Sequence, residues 1–398
     1  MSDVLFLVLI VGYILIGRAA VLLLRGRTRD IAFGLLNVAA LYVFFFQDSP
    51  RRFAIYLGIV SLLYLVLVLF AKRSGAWPWL AFFAPILVLV TLRYIFPVAG
   101  PWLHLGTLTG LNLLGISYLA FRSSHLVLEV RNDIVPLPSY WQYLGFCFFA
   151  PTLSLGPINP YSNHLRGFAE TPVDLPEGRC LMRIVVGLVK FQFLGSYLNQ
   201  LSYDGLLLDN HYHHFIDLPI ASISYFLYLY CNFSGFCDVA IGAAGLMKIP
   251  VAENFQNPLA ARNIKEFWNR WHITLSTYMR DVAFSPLSKF LVRLFGPRHA
   301  NHAIAVTIVI IFIMIGIWHG VGWNFVAYGV FHAVGVAANH YYAIWLKKRL
   351  GRERFKAYIE NREIHAVAVV MTFCYAAASL FLFANNFAEM RDIFASLR

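Results

Sequence analysis

Long runs of apolar residues dominate the chain, and they restrict its fold more than any other feature. Several approach or exceed the roughly 20 residues that a helix needs to cross the hydrocarbon core of a bilayer. The apolar residues follow one another without the strict alternation of a barrel strand, and an open sheet could not satisfy its backbone hydrogen bonds in lipid. The sequence therefore predicts an all-α, polytopic integral membrane protein.

The composition agrees with this class and limits the partners. Apolar residues make up 59% of the 398 positions and charged residues only 13%, whereas soluble domains carry roughly 25% charged residues. The net charge is +12, but no nucleic-acid-binding motif occurs, and basic residues of membrane proteins gather in cytoplasmic loops beside anionic lipid. We therefore expect contact with membrane lipid and not with nucleic acid. The five cysteines form no C-x-x-C pair and are interpreted as small core residues.

The apolar runs predict about ten or eleven membrane segments within a single membrane domain of residues 1–398. No basic region precedes the first run, which is longer than the core of a signal peptide, so we expect it to be retained in a multi-pass protein of the cell membrane. The segments are approximately Val4–Leu24, Ile31–Phe46, Phe53–Phe70, Trp77–Val98, Trp102–Phe121, Tyr140–Leu155, Cys180–Leu201, Leu218–Met247, Ala303–Ile317, Trp323–Leu346 and Ile364–Phe383.

The distribution of basic residues predicts an orientation. The loops Lys347–Arg362 and Arg25–Arg29 are rich in lysine or arginine and should be cytoplasmic, whereas Ser202–Asp217 has neither and should face outward. These placements agree only if one segment fails to cross the membrane. Tyr140–Leu155 is the best candidate, because it is short and is followed by glycine and prolines that suit a re-entrant hairpin.

One stretch, Glu253–Arg298, mixes charged and aromatic residues and interrupts the apolar pattern. Its spacing predicts an amphipathic helix, either partly inserted at the inner interface or lying on the surface with a solvated charged side. The spacing favours neither alternative. In a continuous helix one face would hold Trp268, His272 and Met279, and the next would hold Asn269, Ser276 and Arg280.

His319 is an ionisable residue within a long uncharged region. No charged residue occurs from Ala303 to Leu346, and Gly320 and Gly322 follow the histidine in what we predict to be a break between two helices. Ionisable residues within a membrane usually have a function, and histidine can act as a general base near neutral pH. The alternative is a hydrogen-bonded core histidine, which the spacing alone would favour.

Other histidines have weaker claims to a function. His332 and His340 lie on the next apolar segment, where nothing marks a cavity. His211, His213 and His214 form a cluster, but their spacing fits no standard zinc pattern, so a solvated loop is the preferred interpretation and no metal site is predicted.

Asp238 is part of a polar break inside the Leu218–Met247 run. A carboxylate in such a position needs a partner, which the sequence does not identify. The usual motifs of other catalytic classes are missing, namely a G-x-S-x-G nucleophile elbow, an H-E-x-x-H zinc motif and a phosphate-binding glycine loop.

Several ordered sequence blocks resemble the membrane-bound O-acyltransferase (MBOAT) family. Phe267–Ser276 with the following Arg280-Asp281 is similar to the family signature, and Gly316–Gly320 is similar to the block that holds its catalytic histidine. The resemblance extends over about residues 115–340 and is closest to the bacterial branch of teichoic acid D-alanyl transferases and alginate-type O-acetyltransferases. The further matching blocks are Gly115–Tyr118, Gly156–Ile158, Phe233–Gly242 and Glu253–Pro258.

The resemblance implies a fold and a set of site residues. It implies a ring of helices around a central tunnel in which funnels from the two sides meet at His319, which would be the catalytic base, with His272 assisting. The residues that it implies for substrate binding are Trp318, Trp271, Asn269, Ser276, Arg280 and Asp281.

The resemblance also implies substrates and partners. The expected donor is a cytosolic acyl thioester, on coenzyme A or on the phosphopantetheine of an acyl carrier protein, with no tightly bound cofactor. The expected acceptor is a hydroxyl on an extracytoplasmic cell-envelope polymer or on a partner that relays the acetyl or D-alanyl group. An extracytoplasmic acyltransferase- or esterase-like protein and a cytosolic carrier protein are the expected partners. The alternative functions are a membrane transporter or flippase and a non-catalytic scaffold.

Overall fold

Helices form nearly all of the structure, a computed structural model that describes residues 3–99, 115–170, 173–203 and 214–396. Within these ranges there is no strand, only an isolated antiparallel bridge between Phe255 and Trp271. The all-α prediction is therefore confirmed. The α-helices are α1 (Asp3–Leu23), α2 (Gly26–Leu41), α3 (Pro50–Phe70), α4 (Trp77–Val90), α5 (Phe96–Ala99), α6 (Ile116–Arg131), α7 (Tyr140–Cys147), α8 (Tyr161–Leu165), α9 (Glu177–Leu188), α10 (Gly195–Gln200), α11 (His214–Leu246), α12 (Ile264–Arg270), α13 (Ile273–Met279), α14 (Ser285–Phe295), α15 (Ala300–His319), α16 (Trp323–Glu360), α17 (Arg362–Ala384) and α18 (Phe387–Ser396).

Eight helical stretches of the described chain are long and apolar enough to cross a membrane, judged by length and composition alone. They account for most of the predicted segments, and the prediction of a multi-pass membrane protein is confirmed. Much of the predicted segment Trp102–Phe121 lies outside the described residues. The eight stretches are Val4–Leu23, Gly26–Phe46, Pro50–Phe70, Trp77–Ile95, Glu177–Gln200, Ile216–Leu246, Pro297–His319 and Arg362–Ala384.

The predicted segment Tyr140–Leu155 holds a short helix. α7 has eight residues and begins at a capping box, in which the Ser139 hydroxyl accepts from the Gln142 N–H and the Gln142 side chain accepts from the Ser139 N–H. A 3-10 turn over Ala150–Thr152 follows. An eight-residue helix is about 12 Å long, less than half of the hydrocarbon thickness. Its length therefore agrees with the interpretation that this segment does not cross.

The predicted loop Lys347–Arg362 is wrong, because α16 continues through it to Glu360. The residues there are mostly lysine, arginine, glutamate and leucine, which have high helix propensity and extend the helix beyond the apolar run. At Gly351 the backbone takes φ 68°, which bends the helix. The bend brings the hydroxyls of Tyr342 and Tyr358 to 3.1 Å from each other. α16 has 38 residues, but it is not among the eight membrane-crossing stretches.

The chain forms two compact units, each described by itself. Unit 1 comprises Met1–Leu188 with Phe236–Glu253, and unit 2 comprises Val189–Gly235 with Asn254–Arg398. The single membrane domain and the ring of helices around a tunnel therefore stay predictions. His272 and His319 both belong to unit 2.

In unit 1 the structure supplies the partner that Asp238 requires. The Arg183 Nε atom on α9 donates to Asp238 Oδ1 on α11 over 2.9 Å. The same guanidinium donates from Nη1 to Glu253 Oε1 over 2.6 Å. Because an unpaired carboxylate in an apolar run is costly, this shared arginine explains how the polar break in α11 is tolerated.

Candidate active site

His319 is the last residue of α15. The chain then passes through Gly320, which has an extended backbone, and α16 begins at Trp323. The predicted break between two helices is therefore confirmed. The half-buried His319 ring lies among aromatic rings, with centroid distances of 4.7 Å to Trp318 and 5.0 Å to Phe383. A positive charge on this ring would be stabilised by the carbonyl dipoles at the helix C-terminus.

Glycines allow α15 and α16 to pack closely just before this break. A Cβ on Gly316 would lie 2.3 Å from the Phe325 carbonyl oxygen, and one on Gly329 would lie 2.4 Å from the Phe312 carbonyl oxygen. A Cβ on Gly320 would lie 2.2 Å from the Phe325 ring. Small residues permit such close backbone approach between membrane helices. Gly320 therefore allows a close approach, and the Phe325 ring occupies the space.

The continuous helix predicted across the Trp268–Arg280 stretch is wrong. α12 ends at Arg270 and α13 begins at Ile273, so that Trp271 and His272 lie in a bend. Trp271 is extended and forms the bridge to Phe255, and His272 takes the left-handed conformation with φ 44°. These backbone conformations end the helical spacing, so the two faces predicted for one helix do not exist.

Asn254 holds the bend from a distance of 18 residues along the chain. Its side-chain Oδ1 lies 3.1 Å from His272 Nδ1 and accepts from the Thr274 backbone N–H over 3.2 Å and the Thr274 hydroxyl over 2.9 Å. Its main-chain oxygen accepts from the Ile273 N–H over 2.9 Å. The three residues joined through the Asn254 side chain are all buried, namely Asn254, His272 and Thr274.

The other ring nitrogen of His272 has a different environment. Among the residues that the structure describes, His272 Nε2 has no hydrogen-bonding partner although it is buried. A buried polar atom without a partner costs about 1–3 kcal/mol, and such atoms need a functional or structural explanation. Burial lowers the pKa of His272, and the neighbouring His319 lowers it further. The imidazole is therefore neutral near pH 7.

The structure brings His272, Trp318 and His319 together in unit 2. The His272 and Trp318 rings have centroids 6.3 Å apart, and the Trp318 and His319 rings 4.7 Å apart. Phe233 packs against the other side of His272 at 4.8 Å. Two imidazoles and an indole thus lie within one small region that is mostly screened from solvent.

The remaining predicted site residues lie in other surroundings. Trp271 is buried in an aromatic cluster, with its ring stacked on Phe267 at 5.5 Å. The half-buried Ser276 donates to the Trp271 carbonyl oxygen over 3.5 Å. Three residues are exposed, and two of them form an ion pair in which Arg280 Nε lies 2.8 Å from Asp281 Oδ1. The exposed residues are Asn269, Arg280 and Asp281.

Sequence reasoning assigned no role to two residues of this region. Asn254 belongs to the block Glu253–Pro258, which indicates the family resemblance but no role for this side chain. The fully buried His332 accepts a hydrogen bond at Nδ1 from the Trp268 indole N–H over 3.2 Å. Neither contact leaves a signal in local spacing, because each joins residues that are far apart in the sequence.

A metal centre finds no support in the described part of the chain. No group of three or more histidine, cysteine or carboxylate side chains there could hold an ion. Two histidines of the cluster at which no metal site is predicted, His211 and His213, lie outside the described residues.

Comparison with known families decides the family of the chain. The model of the membrane-bound O-acyltransferase family, MBOAT, matches residues 82–362. The chain belongs to this family. The match is wider than the predicted region of about residues 115–340, and it includes the break after α15 and the bend at His272. The prediction of an acyltransferase family is therefore confirmed.

The chain is similar to proteins named as acyltransferases of teichoic acid or peptidoglycan. The teichoic acid D-alanyltransferase of Streptococcus thermophilus is 28% identical over 88% of this chain and 92% of its own length. That of Bacillus subtilis is 28% identical over 69% of each chain. The peptidoglycan O-acetyltransferase of Helicobacter pylori is 29% identical over 55% of this chain and 41% of its own length.

Proposed function

We propose that this MBOAT protein transfers an acyl group from a cytosolic thioester to a hydroxyl on an extracytoplasmic envelope polymer, or on a partner protein that relays it. The observation that carries the proposal is the juxtaposition of His272, Trp318 and His319 at the ends of two separate helical stretches. A partly accessible imidazole beside a buried neutral one supports proton transfer at this place.

The proposed chemistry uses His319 as general base. As the acceptor oxygen attacks the thioester carbonyl carbon, its proton passes to His319, and a C–O bond forms while the C–S bond breaks. The departing sulfur takes the proton back, which restores the neutral imidazole. The C-terminal carbonyl dipoles of α15 would stabilise the imidazolium between these steps. His272 would assist by hydrogen bonding to one of the reacting groups.

The acyl group that we propose to test first is D-alanyl. The D-alanyltransferase of Streptococcus thermophilus matches 88% of this chain and 92% of its own length. The peptidoglycan O-acetyltransferase and the probable alginate O-acetylase of Azotobacter vinelandii match 55% and 56% of this chain, and 41% and 44% of their own lengths. Transfer of acetyl is the second candidate, because these two relatives also match more than half of this chain.

The proposed donor and partners follow from this chemistry. An acyl thioester on coenzyme A or on a carrier protein would supply the activated carbonyl, and an extracytoplasmic acyltransferase- or esterase-like protein would receive or guide the product. The exposed Arg280 and Lys265 are proposed contacts for donor phosphates or for an acidic carrier. Trp318, Trp271, Asn269, Ser276 and Asp281 stay proposed substrate-binding residues.

Replacement of His319 tests the proposed function. We expect His319→Ala to lower ester-linked D-alanine or acetyl on the envelope polymer by about 10²–10⁴-fold, the usual contribution of a positioned general base. The measurement is release of the acyl group by mild base from cells that express equal amounts of each variant. His365→Ala, which changes an exposed histidine on α17, is the matched control and should retain acylation.

The outcome also separates the alternative functions. A scaffold for another enzyme would leave acylation intact in the His319→Ala protein, provided that the variant still inserts and assembles. A transporter or flippase would leave the purified protein without transferase activity on a thioester donor and a soluble hydroxyl acceptor. Either result would overturn the proposal.

A further inference from the structure

The Asn254 side chain determines which nitrogen of His272 carries the proton. We infer that Asn254 is a positioning residue for acyl transfer: it accepts the Nδ1 proton of His272 and thereby leaves the Nε2 lone pair free to accept a hydrogen bond from an O–H or N–H of the substrate. The inference rests on the proposed function, because it treats His272 as part of that site.

The orientation of the Asn254 amide follows from its contacts. The Thr274 backbone N–H can only donate, and it lies 3.2 Å from the Asn254 atom assigned as Oδ1. An amide NH₂ at that position would face a donor, so the oxygen must be there. The His272 Nδ1 atom lies 3.1 Å from the same oxygen, and therefore Nδ1 must carry the proton.

The state of Nε2 follows from the neutrality of the ring. A neutral imidazole with its proton on Nδ1 has a lone pair on Nε2. This atom is buried and has no partner among the described residues. A substrate O–H or N–H that reaches Nε2 would remove the cost of an unpaired buried acceptor. The position therefore favours a hydrogen-bond donor and disfavours a carbonyl or carboxylate oxygen.

The neighbours of His272 leave one titratable group to consider. The Trp318 and Phe233 rings lie beside the His272 ring and carry no charge, and His319 is the group whose charge acts on it. The Asn254 amide is neutral as well. An aspartate in its place would still accept the Nδ1 proton of His272, but its negative charge would also stabilise the imidazolium. The charge at position 254 can therefore be changed while the accepting oxygen is kept.

Two substitutions of Asn254 separate positioning from packing. Both leave the main-chain bond from Ile273 to residue 254 in place. We expect Asn254→Leu to lower acylation about 10²-fold at every pH, because the ring loses its fixed tautomer. We expect Asn254→Asp to retain activity near pH 7 and to lose it on acidification, since the introduced carboxylate raises the pKa of His272, which lies at about 3 in the wild-type protein.

The acidic limb of the pH profile should move to higher pH in Asn254→Asp. Nε2 accepts only when it is unprotonated, so a raised pKa moves the acidic limb of the pH profile upward. The assay is acyl transfer by the purified full-length protein between about pH 4 and 8, a range that includes the raised pKa expected for His272 in Asn254→Asp. A purely structural role predicts equal losses in both variants at every pH, and that result would overturn the inference. His365→Ala, which changes an exposed histidine on α17, should keep the wild-type profile.

A spectroscopic measurement tests the tautomer without any activity. The ¹⁵N resonances of His272 in the labelled wild-type protein should show a protonated Nδ1 and an unprotonated Nε2 near pH 7, with assignment from the His272→Gln protein. A protonated Nε2 would contradict the inference even if every variant were active. Conversely, persistence of acylation in the His319→Ala protein would overturn the proposed function but would leave this tautomer unchanged, so the two failures can be distinguished.

Discussion

His272 combines several unusual properties within one residue. Its φ of 44° places a non-glycine residue in the left-handed region, which costs about 1–3 kcal/mol and occurs preferentially at functional sites. The hydrogen bonds that converge on Asn254 offset this cost at about 1 kcal/mol each. The strain is therefore maintained by a specific partner, which agrees with a functional role for the orientation of the ring.

We expect His332, which is buried near the break after α15, to have a structural role and not a catalytic one. We expect His332→Phe to destabilise the protein by about 1–3 kcal/mol, because the Trp268 indole N–H loses its acceptor while an aromatic ring stays at this position. The measurement is the midpoint of thermal unfolding in detergent. His365→Phe changes an exposed histidine and should alter stability by less than about 0.5 kcal/mol. A loss of acylation as large as that in His319→Ala, without loss of stability, would contradict a structural role.

At the scale of helices, the sequence predicts most elements from their apolar runs, but it misses the bend at Trp271 and His272. The four-residue spacing of apolar side chains continues through this point, so local pattern favours one helix. The bend is held by Asn254, a contact 18 residues away along the chain, which no local window contains. The break after His319 could be predicted, because Gly320 and Gly322 mark it in the sequence itself.

The close packing of α15 on α16 should position His319. We expect Gly316→Ala to destabilise the protein by about 1–3 kcal/mol and to lower acylation, because its Cβ would lie 2.3 Å from the Phe325 carbonyl oxygen and one of the helices must move. Thermal unfolding and the acylation assay measure the two effects. Gly58→Ala on α3 is the control, since nothing lies within 4 Å of the added Cβ, and it should be neutral or slightly stabilising. Equal stability and equal acylation in the two variants would contradict the conclusion that close packing of α15 on α16 positions His319.

At the scale of the whole molecule, the orientation in the membrane depends on the candidate spans and on the long helix α16, which ends in basic residues. The basic residues between Lys347 and Arg362 lie on the exposed end of α16 instead of in a loop. Their helical structure does not change the physical basis of the orientation prediction, because the rule concerns the position of lysine and arginine beside a membrane segment. Positive charge at this end should still remain on the cytoplasmic side.

Labelling from outside the cell tests this orientation. In a protein without its native cysteines, we expect Lys356→Cys to resist a membrane-impermeant maleimide in intact cells and to react after permeabilisation. Lys356 is exposed on the last turns of α16, so lack of reaction in intact cells would reflect the membrane barrier and not burial. Asp209→Cys, in the segment predicted to face outward, should react without permeabilisation. Labelling of Lys356→Cys in intact cells would place the basic helix outside, and it would then be unable to contact a cytosolic acyl donor.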